Sequence, residues 1–194
     1  MDFHTRALEW TGGVVGRIPH NRLDAPTPCA DWTVADLLQH VVAGNLWTAE
    51  LAAGKTIDEV GDRLDGDVLR EDITRAYARS ADLADAAFRA PGALDAPCAV
   101  SYGPVPGSVY CGHRLIDVLV HGWDLAVSTG RPSLLPADTV EACFEVLEPQ
   151  LAALQASGAF GTPVRDLPAT AARQEQLLAA LGRDPNWVPT YPRL

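Results

Sequence analysis

The stretch Ser108-Val109-Tyr110-Cys111-Gly112-His113-Arg114-Leu115-Ile116-Asp117-Val118-Leu119-Val120-His121-Gly122-Trp123-Asp124-Leu125-Ala126-Val127-Ser128 decides the fold of this chain. It holds no proline and is closed by Gly130 and Pro132, which predicts a helix over about 108–128. Leu115, Ile116, Val118, Leu119, Val120, Trp123, Leu125 and Val127 surround most of that helix. A helix that is apolar nearly all round is a buried one. At about 100° per residue the exceptions, Tyr110, His113, Arg114, Asp117, His121, Asp124 and Ser128, fall together on one narrow stripe. A bare buried carboxylate is very costly, so the stripe needs partners. A salt-bridge network, a water-filled cleft or a metal ion would each supply them.

Asp117 and His121 stand four residues apart, one above the other on the helix face. A carboxylate oxygen and an imidazole nitrogen at that spacing can chelate one ion. The best third ligand is His40, mid-helix on a flank shared with Leu37, Gly44, Trp47 and Leu51; the plain alternative is a core histidine bonded to a carbonyl. Gly44, one turn on, would let another backbone or a ligand approach closely. His113 competes as a ligand, because His113, Asp117 and His121 are evenly spaced. His4 and His20 lie near the ends of the first helix and are expected at the surface. Two histidines and one carboxylate leave coordination positions open, the pattern of a catalytic rather than a structural metal site. Zinc suits these ligands best, and Ni, Fe, Co or Mn also fit.

Outward from this segment, apolar periodicity predicts a first helix over about 2–18 and a second from Val34 to about Gly54. Thr33 is its expected N-cap, with Asp36 completing a variant capping box. A polar connection over 55–66 leads to a third helix at about 67–89. Residues 91–107 are too rich in proline and glycine for a helix and have room for a short strand or hairpin around Cys98–Tyr102. Pro136 opens a fifth helix, to about 156; a loop over 158–168 and a short helix over about 170–181 follow. The tail from Asp184 reads as irregular. The sum is one all-α domain over 1–194, with four long helices in a bundle.

The 194 residues carry 25 acidic and 15 basic side chains, a formal net charge of -10, which excludes the electrostatic footprint of a nucleic-acid or anionic-membrane binder. No apolar run approaches a membrane span, and Met1-Asp2-Phe3-His4 does not open a signal peptide; the expectation is a soluble cytoplasmic protein. Cys29, Cys98, Cys111 and Cys143 form no CxxC pair and are expected as buried free thiols. Trp10, Trp32, Trp47, Trp123 and Trp187 are expected as core or interface anchors, with Trp123 also a candidate wall of the cleft.

The segment Thr27-Pro28-Cys29-Ala30-Asp31-Trp32-Thr33-Val34-Ala35-Asp36-Leu37-Leu38-Gln39-His40-Val41-Val42 resembles the signature that opens the second helix of the mycothiol-dependent maleylpyruvate isomerase N-terminal domain family, within the DinB-like superfamily. Asp117-Val118-Leu119-Val120-His121-Gly122-Trp123-Asp124-Leu125-Ala126 resembles its second signature, and Leu181-Gly182-Arg183-Asp184-Pro185 is similar to the close of an uncharacterised metal-binding subfamily. The resemblance implies a DinB-like four-helix bundle of up-down-down-up topology, here with an extra C-terminal short helix. It implies a divalent metal ion on His40, Asp117 and His121, with Asp117 standing where the isomerase carries glutamate.

The activity so implied is that of a metal-dependent low-molecular-weight-thiol transferase or isomerase. Mycothiol would be the cosubstrate and a small electrophile the substrate. His113, Arg114 and Asp124 would orient ligands or support the ion, with buried ion pairing, for instance of Arg114 with Asp117 or Asp124, as the plain alternative. Tyr102 and the loop 97–107 are a candidate wall of the cleft, with a simple packed connection the first expectation. A non-catalytic metal-binding or stress-response bundle and a metal-dependent hydrolase are the alternatives. Relatives of this kind occur as monomers and homodimers, and no nucleic-acid or membrane partner is expected.

Overall fold

The computed structural model describes residues 2–69, 72–151, 162–164 and 166–190. In chain order the elements are α1 (Asp2–Val15), α2 (Val34–Ala52), α3 (Ile57–Val60), α4 (Ile73–Arg89), β1 (Pro97–Val100), β2 (Gly103–Pro106), α5 (Gly107–Thr129), α6 (Ala137–Leu147) and α7 (Arg173–Ala180). The expected all-α bundle is formed by α1, α2, α4 and α5, with α1 packed on α5 and α4, and α2 packed on α4 and α5.

Helix directions follow from the side chains that meet. Thr5 pairs with Asp85 and Tyr77 donates to the Leu8 carbonyl, so α1 and α4 are antiparallel. His40 meets Asp117, Asn45 meets Arg114 and Thr48 meets Tyr110, so α2 and α5 are antiparallel. The Gln39 amide donates to the Gly66 carbonyl and accepts from Val68, just before α4, and Asn45 donates to Ser80, so α2 and α4 run together. The order is therefore up-down-down-up. It sets α2 beside α5 although their site residues lie 77 positions apart.

The N-terminus of α2 has the capping box read from sequence: Thr33 Oγ1 accepts from Asp36 N, and Asp36 Oδ2 accepts from Thr33 N. Gly130 closes α5 in the left-handed region at φ 66°, where glycine carries no Cβ penalty. Strands β1 and β2 form the expected hairpin, antiparallel from Pro97 opposite Pro106 to Val100 opposite Gly103.

Several boundaries differ from expectation. Helix α1 ends at Val15, and the chain tightens through Arg17 and Ile18, whose amides bond back to Val14 and Val15, before Pro19. The connection 55–66 contains α3, whose Thr56 and Glu59 form a capping box of their own. Helix α4 begins at Ile73 rather than 67: Asp67 caps the Leu69 amide and Asp72 the Arg75 amide, local bonds that compete with helix. Helix α6 stops at Leu147, where Pro149 turns the chain through the 3-10 turn Glu148–Gln150. Residues 152–156 of the expected continuation lie outside the described residues, as do 158–161 and 165 of the loop.

The main apolar core joins α1, α2, α4, α5, α6 and α7 around Trp123, Leu37, Leu38, Ile116, Leu119 and Leu177. A smaller cluster of Leu51, Phe88, Cys98, Val100, Tyr110 and Cys111 seats the hairpin. Among the described residues no helix is long and apolar enough to cross a membrane.

Candidate metal centre

The capping box sets the phase of α2 and so turns His40 toward α5. The loop before it is held as firmly. Val34 N donates to Ala25 O (3.0 Å) and Ala35 N to Leu23 O (2.9 Å). The Thr27 hydroxyl reaches the carbonyls of Cys29 (3.1 Å) and Trp32 (2.9 Å) and accepts from the Cys29 amide. Asp31 takes a left-handed conformation, φ 65°. Aspartate tolerates this region better than most residues, and the turn carries Trp32 over the site. Its ring lies 5.0 Å from that of His40 and 6.2 Å from that of His121, and it is 36% exposed.

Under Trp32, His40 Nε2 and His121 Nε2 each stand 3.5 Å from Asp117 Oδ1. One donor atom from each of the three residues falls within 4.8 Å of the others. A spacing of 3.5 Å is long for a charge-assisted hydrogen bond, which is typically about 2.7–2.9 Å. It is close to the edge of a tetrahedron with metal–ligand bonds of roughly 2.0–2.1 Å, an edge of about 3.3–3.4 Å. Two imidazole nitrogens and one carboxylate oxygen are also donors that zinc accepts. The residues present therefore fit a divalent ion.

The surroundings leave Oδ1 of Asp117 free for that role. Its other oxygen, Oδ2, accepts from Arg114 Nη1 at 2.7 Å, and Arg114 Nη2 donates to Asn45 Oδ1 at 3.2 Å. The close approach expected at Gly44 is made by this guanidinium rather than by backbone or ligand: a Cβ on Gly44 would lie 2.7 Å from Arg114 Nη1. On the far side of the His121 ring, Nδ1 is 3.0 Å from Asp124 Oδ2. Asp124 is fully buried and also accepts from Arg183 Nη2 at 3.0 Å. Cys29 Sγ stands 3.4 Å from Asp124 Oδ2, 3.8 Å from His121 Nδ1 and 3.2 Å from Arg183 Nη2.

Electrostatics follow from these contacts. Burial alone would raise the Asp117 carboxyl, but Arg114 and His121 outweigh it and hold the group well below the usual carboxylate range. Burial alone would lower His121; the Asp117 carboxylate, with hydrogen bonds to Asp117, Asp124 and Cys29, holds the ring well above the usual histidine range. An ion at Nε2 would thus take the place of a proton. Asp124 is kept ionised against its burial by His121 and Arg183. Cys29, His121 Nδ1 and Asp124 also lie close enough together to hold an ion. There Arg183 Nη2 already occupies Cys29 Sγ and Asp124 Oδ2, whereas Arg114 takes only the outer oxygen of Asp117 and leaves Oδ1, so the His40, Asp117 and His121 group is the better cation site.

The structure brings His40, Asp117 and His121 together and sets Arg114 and Asp124 against them. It does not bring His113 there. That ring bridges the Tyr102 hydroxyl (2.7 Å) and Gln150 Oε1 (2.9 Å), tying the hairpin to α5. Tyr102 is exposed at the hairpin turn. Trp123 is core, and Trp32 lines the site in its place. His20 is at the surface as expected, whereas His4 is buried edge-on against Phe88 with neither ring nitrogen bonded among the described residues. Cys98, Cys111 and Cys143 are buried free thiols, whereas Cys29 is half-buried and belongs to the site's polar network. Sequence reasoning did not assign Arg183 or Cys29 to the site, although both lie inside quoted motifs.

The sequence model of the mycothiol maleylpyruvate isomerase N-terminal domain matches residues 5–126, more than half of the chain. Two uncharacterized proteins of Mycobacterium tuberculosis, one from strain CDC 1551 / Oshkosh and one from strain ATCC 25618 / H37Rv, are each 38% identical over 128 residues. That alignment covers 66% of this chain and 66% of either relative, just under two thirds of their length. Among solved structures, the mycothiol-dependent maleylpyruvate isomerase and a mutant of it superpose with a TM-score of 0.60 at 15% identity, over 82% of this chain and 71% of theirs. At that identity the likeness is one of fold, and the fold shared is the DinB-like helical bundle. With both signatures inside the matched span, the chain belongs to the mycothiol maleylpyruvate isomerase N-terminal domain family.

Proposed function

We propose that this chain binds one divalent metal ion, zinc first among the candidates, through His40, Asp117 and His121, and that it acts on a small electrophile with a low-molecular-weight thiol of the mycothiol type, as a transferase or isomerase. The observation that carries the reading is the convergence of three donor atoms within 4.8 Å, drawn from α2 and α5. Family membership supports the thiol.

When bound at such a site, a divalent ion supplies Lewis acidity that brings a thiol's deprotonation into the neutral range. The chain's own residues do the rest. His40 and His121 offer neutral nitrogens, so the protein adds one negative charge, on Asp117, and a thiolate keeps the assembly from excess charge. Arg114 occupies the second oxygen of Asp117 and stops that carboxylate from turning. Trp32 covers one side of the two imidazoles and limits water there. Of the ligands, His40 is the most exposed, at 37% of its side chain, which places the open approach on the α2 side of the site.

The test is metal content by mass spectrometry on untagged protein, beside His40→Ala and His121→Ala. About one ion per chain in the wild type, lost in both variants, is the expected result; thiol binding to the Co2+ form then follows from its absorption spectrum. A wild type that takes up no ion after reconstitution at neutral pH overturns the proposal.

A further inference from the structure

Arg183 reaches back from the segment after α7 to a point beneath the candidate ligands. Its Nε donates to both oxygens of Asp124 (3.3 Å each), Nη2 donates to Asp124 Oδ2 (3.0 Å) and to Cys29 Sγ (3.2 Å), and Nη1 donates to the Leu181 carbonyl (3.0 Å). The side chain is buried and its donors are almost all engaged, so it has little left with which to hold a diffusible anion. What it holds instead is a carboxylate, and that carboxylate holds a ring. Asp124 is fully buried, and its Oδ2 is 3.0 Å from His121 Nδ1.

An imidazole has two nitrogens, and the partner of one decides what the other can do. With Asp124 Oδ2 accepting the Nδ1 proton, the lone pair left to His121 is on Nε2. That is the atom 3.5 Å from Asp117 Oδ1. Carboxylates behind metal-bound histidines fix ring orientation and raise ligand basicity. A bare carboxylate in this position would itself be an uncompensated buried charge, and Arg183 removes that penalty. The guanidinium makes the fork of two donors onto Asp124 that keeps the carboxylate from rotating. The thiol of Cys29 donates to Asp124 and accepts from Arg183, which ties the loop carrying Trp32 into the same network.

Resting on the metal reading above, we propose that Asp124 and Arg183 are positioning residues for the ion: Asp124 fixes the Nδ1–H form and orientation of His121, and Arg183, supplied from outside the matched family domain, fixes Asp124. The family match ends at residue 126, so the C-terminal segment adds the guanidinium to a carboxylate that, within the matched span, meets only the His121 ring and the Cys29 thiol.

The experiment is Co2+ titration of apo wild type, Asp124→Asn, Arg183→Ala and Arg183→Lys, followed by the visible absorption of the bound ion. Solvent exchange of the His121 ring N–H is then read from the NMR spectrum of the loaded protein, and circular dichroism checks the fold of each variant. Asp124→Asn and Arg183→Ala should weaken Co2+ binding by about 10–100-fold and speed exchange of that proton, while Arg183→Lys recovers part of the loss. A merely structural role would lower the melting temperature and leave both readouts unchanged. Wild-type affinity and exchange in folded Asp124→Asn and Arg183→Ala overturn this inference alone. A wild type that binds no Co2+ overturns the metal reading and this inference with it.

Discussion

Gly44→Ala tests the packing beneath the site through a single methyl group. In an open helix interior this change stabilises by about 0.5–1 kcal/mol, because alanine gives up less backbone entropy. Here the new Cβ lands 2.7 Å from Arg114 Nη1, 2.8 Å from Nη2 and 3.0 Å from Cζ, so the guanidinium must withdraw. It is buried and tied to Asp117 Oδ2 at 2.7 Å and to Asn45 Oδ1 at 3.2 Å. A hydrogen bond to a charged group contributes about 1.5–3 kcal/mol. Losing the Asp117 bond and stretching the Asn45 bond outweighs the helix gain, for a net loss of about 2 kcal/mol. At roughly 2–4 °C per kcal/mol for a chain of this size, the melting temperature should fall by about 4–8 °C. The assay is urea unfolding of wild type, Gly44→Ala, Arg114→Met and the double variant. With the guanidinium gone the methyl has room, so the double variant should be more stable than the sum of the singles by about 1 kcal/mol or more. A Gly44→Ala protein more stable than wild type, or strict additivity, refutes this account.

Three further perturbations address other parts of the fold. His4 has its pKa lowered to about 3 from 6.5, by burial first and then by Arg114, with Arg89 and the N-terminus acting the same way and Asp85 against. The unfolded chain therefore binds a proton that the native one refuses, and this contribution to stability is full above about pH 6.5 and is lost as pH falls toward 3; His4→Leu should flatten the stability–pH profile in that window, read by denaturant midpoints. Gly122→Ala drives a methyl into the Thr11 hydroxyl and the Trp10 ring where α1 crosses α5, so it should destabilise by about 1–3 kcal/mol and be partly rescued by Thr11→Ala, measured by thermal unfolding. Thr33→Ala removes one arm of the capping box at α2 and should cost about 1 kcal/mol, seen in the same assay.

The four long helices were legible because each is governed by local pattern: the apolar wrap and polar stripe of α5, the Thr33 cap, the proline and glycine run that forces the hairpin. The signals for α3 and for the end of α6 were also local, Thr56 with Glu59 and Pro149, and were outweighed by the polar look of one stretch and the apolar run of the other. His4 shares a helix face with Ala7, Leu8, Thr11, Val14 and Val15, a spacing that pointed inward although its chemistry pointed out. Arg183 and Cys29 are a different case. Their contact joins residues 154 positions apart, and Arg183 meets Asp124 across 59. Periodicity carries no information about such meetings, so the stripe announced that Asp124 needed a partner without saying which.

The reach of Arg183 also bears on the order in which the protein is made. The bundle helices are complete at Thr129, with about fifty residues still to be synthesised before Arg183. At about 5–20 residues per second that interval lasts several seconds, whereas helical bundles close in about microseconds to milliseconds. Each nascent chain thus passes through a stage in which Asp124 faces His121 without Arg183, and the later arrival of that guanidinium locks the carboxylate in place.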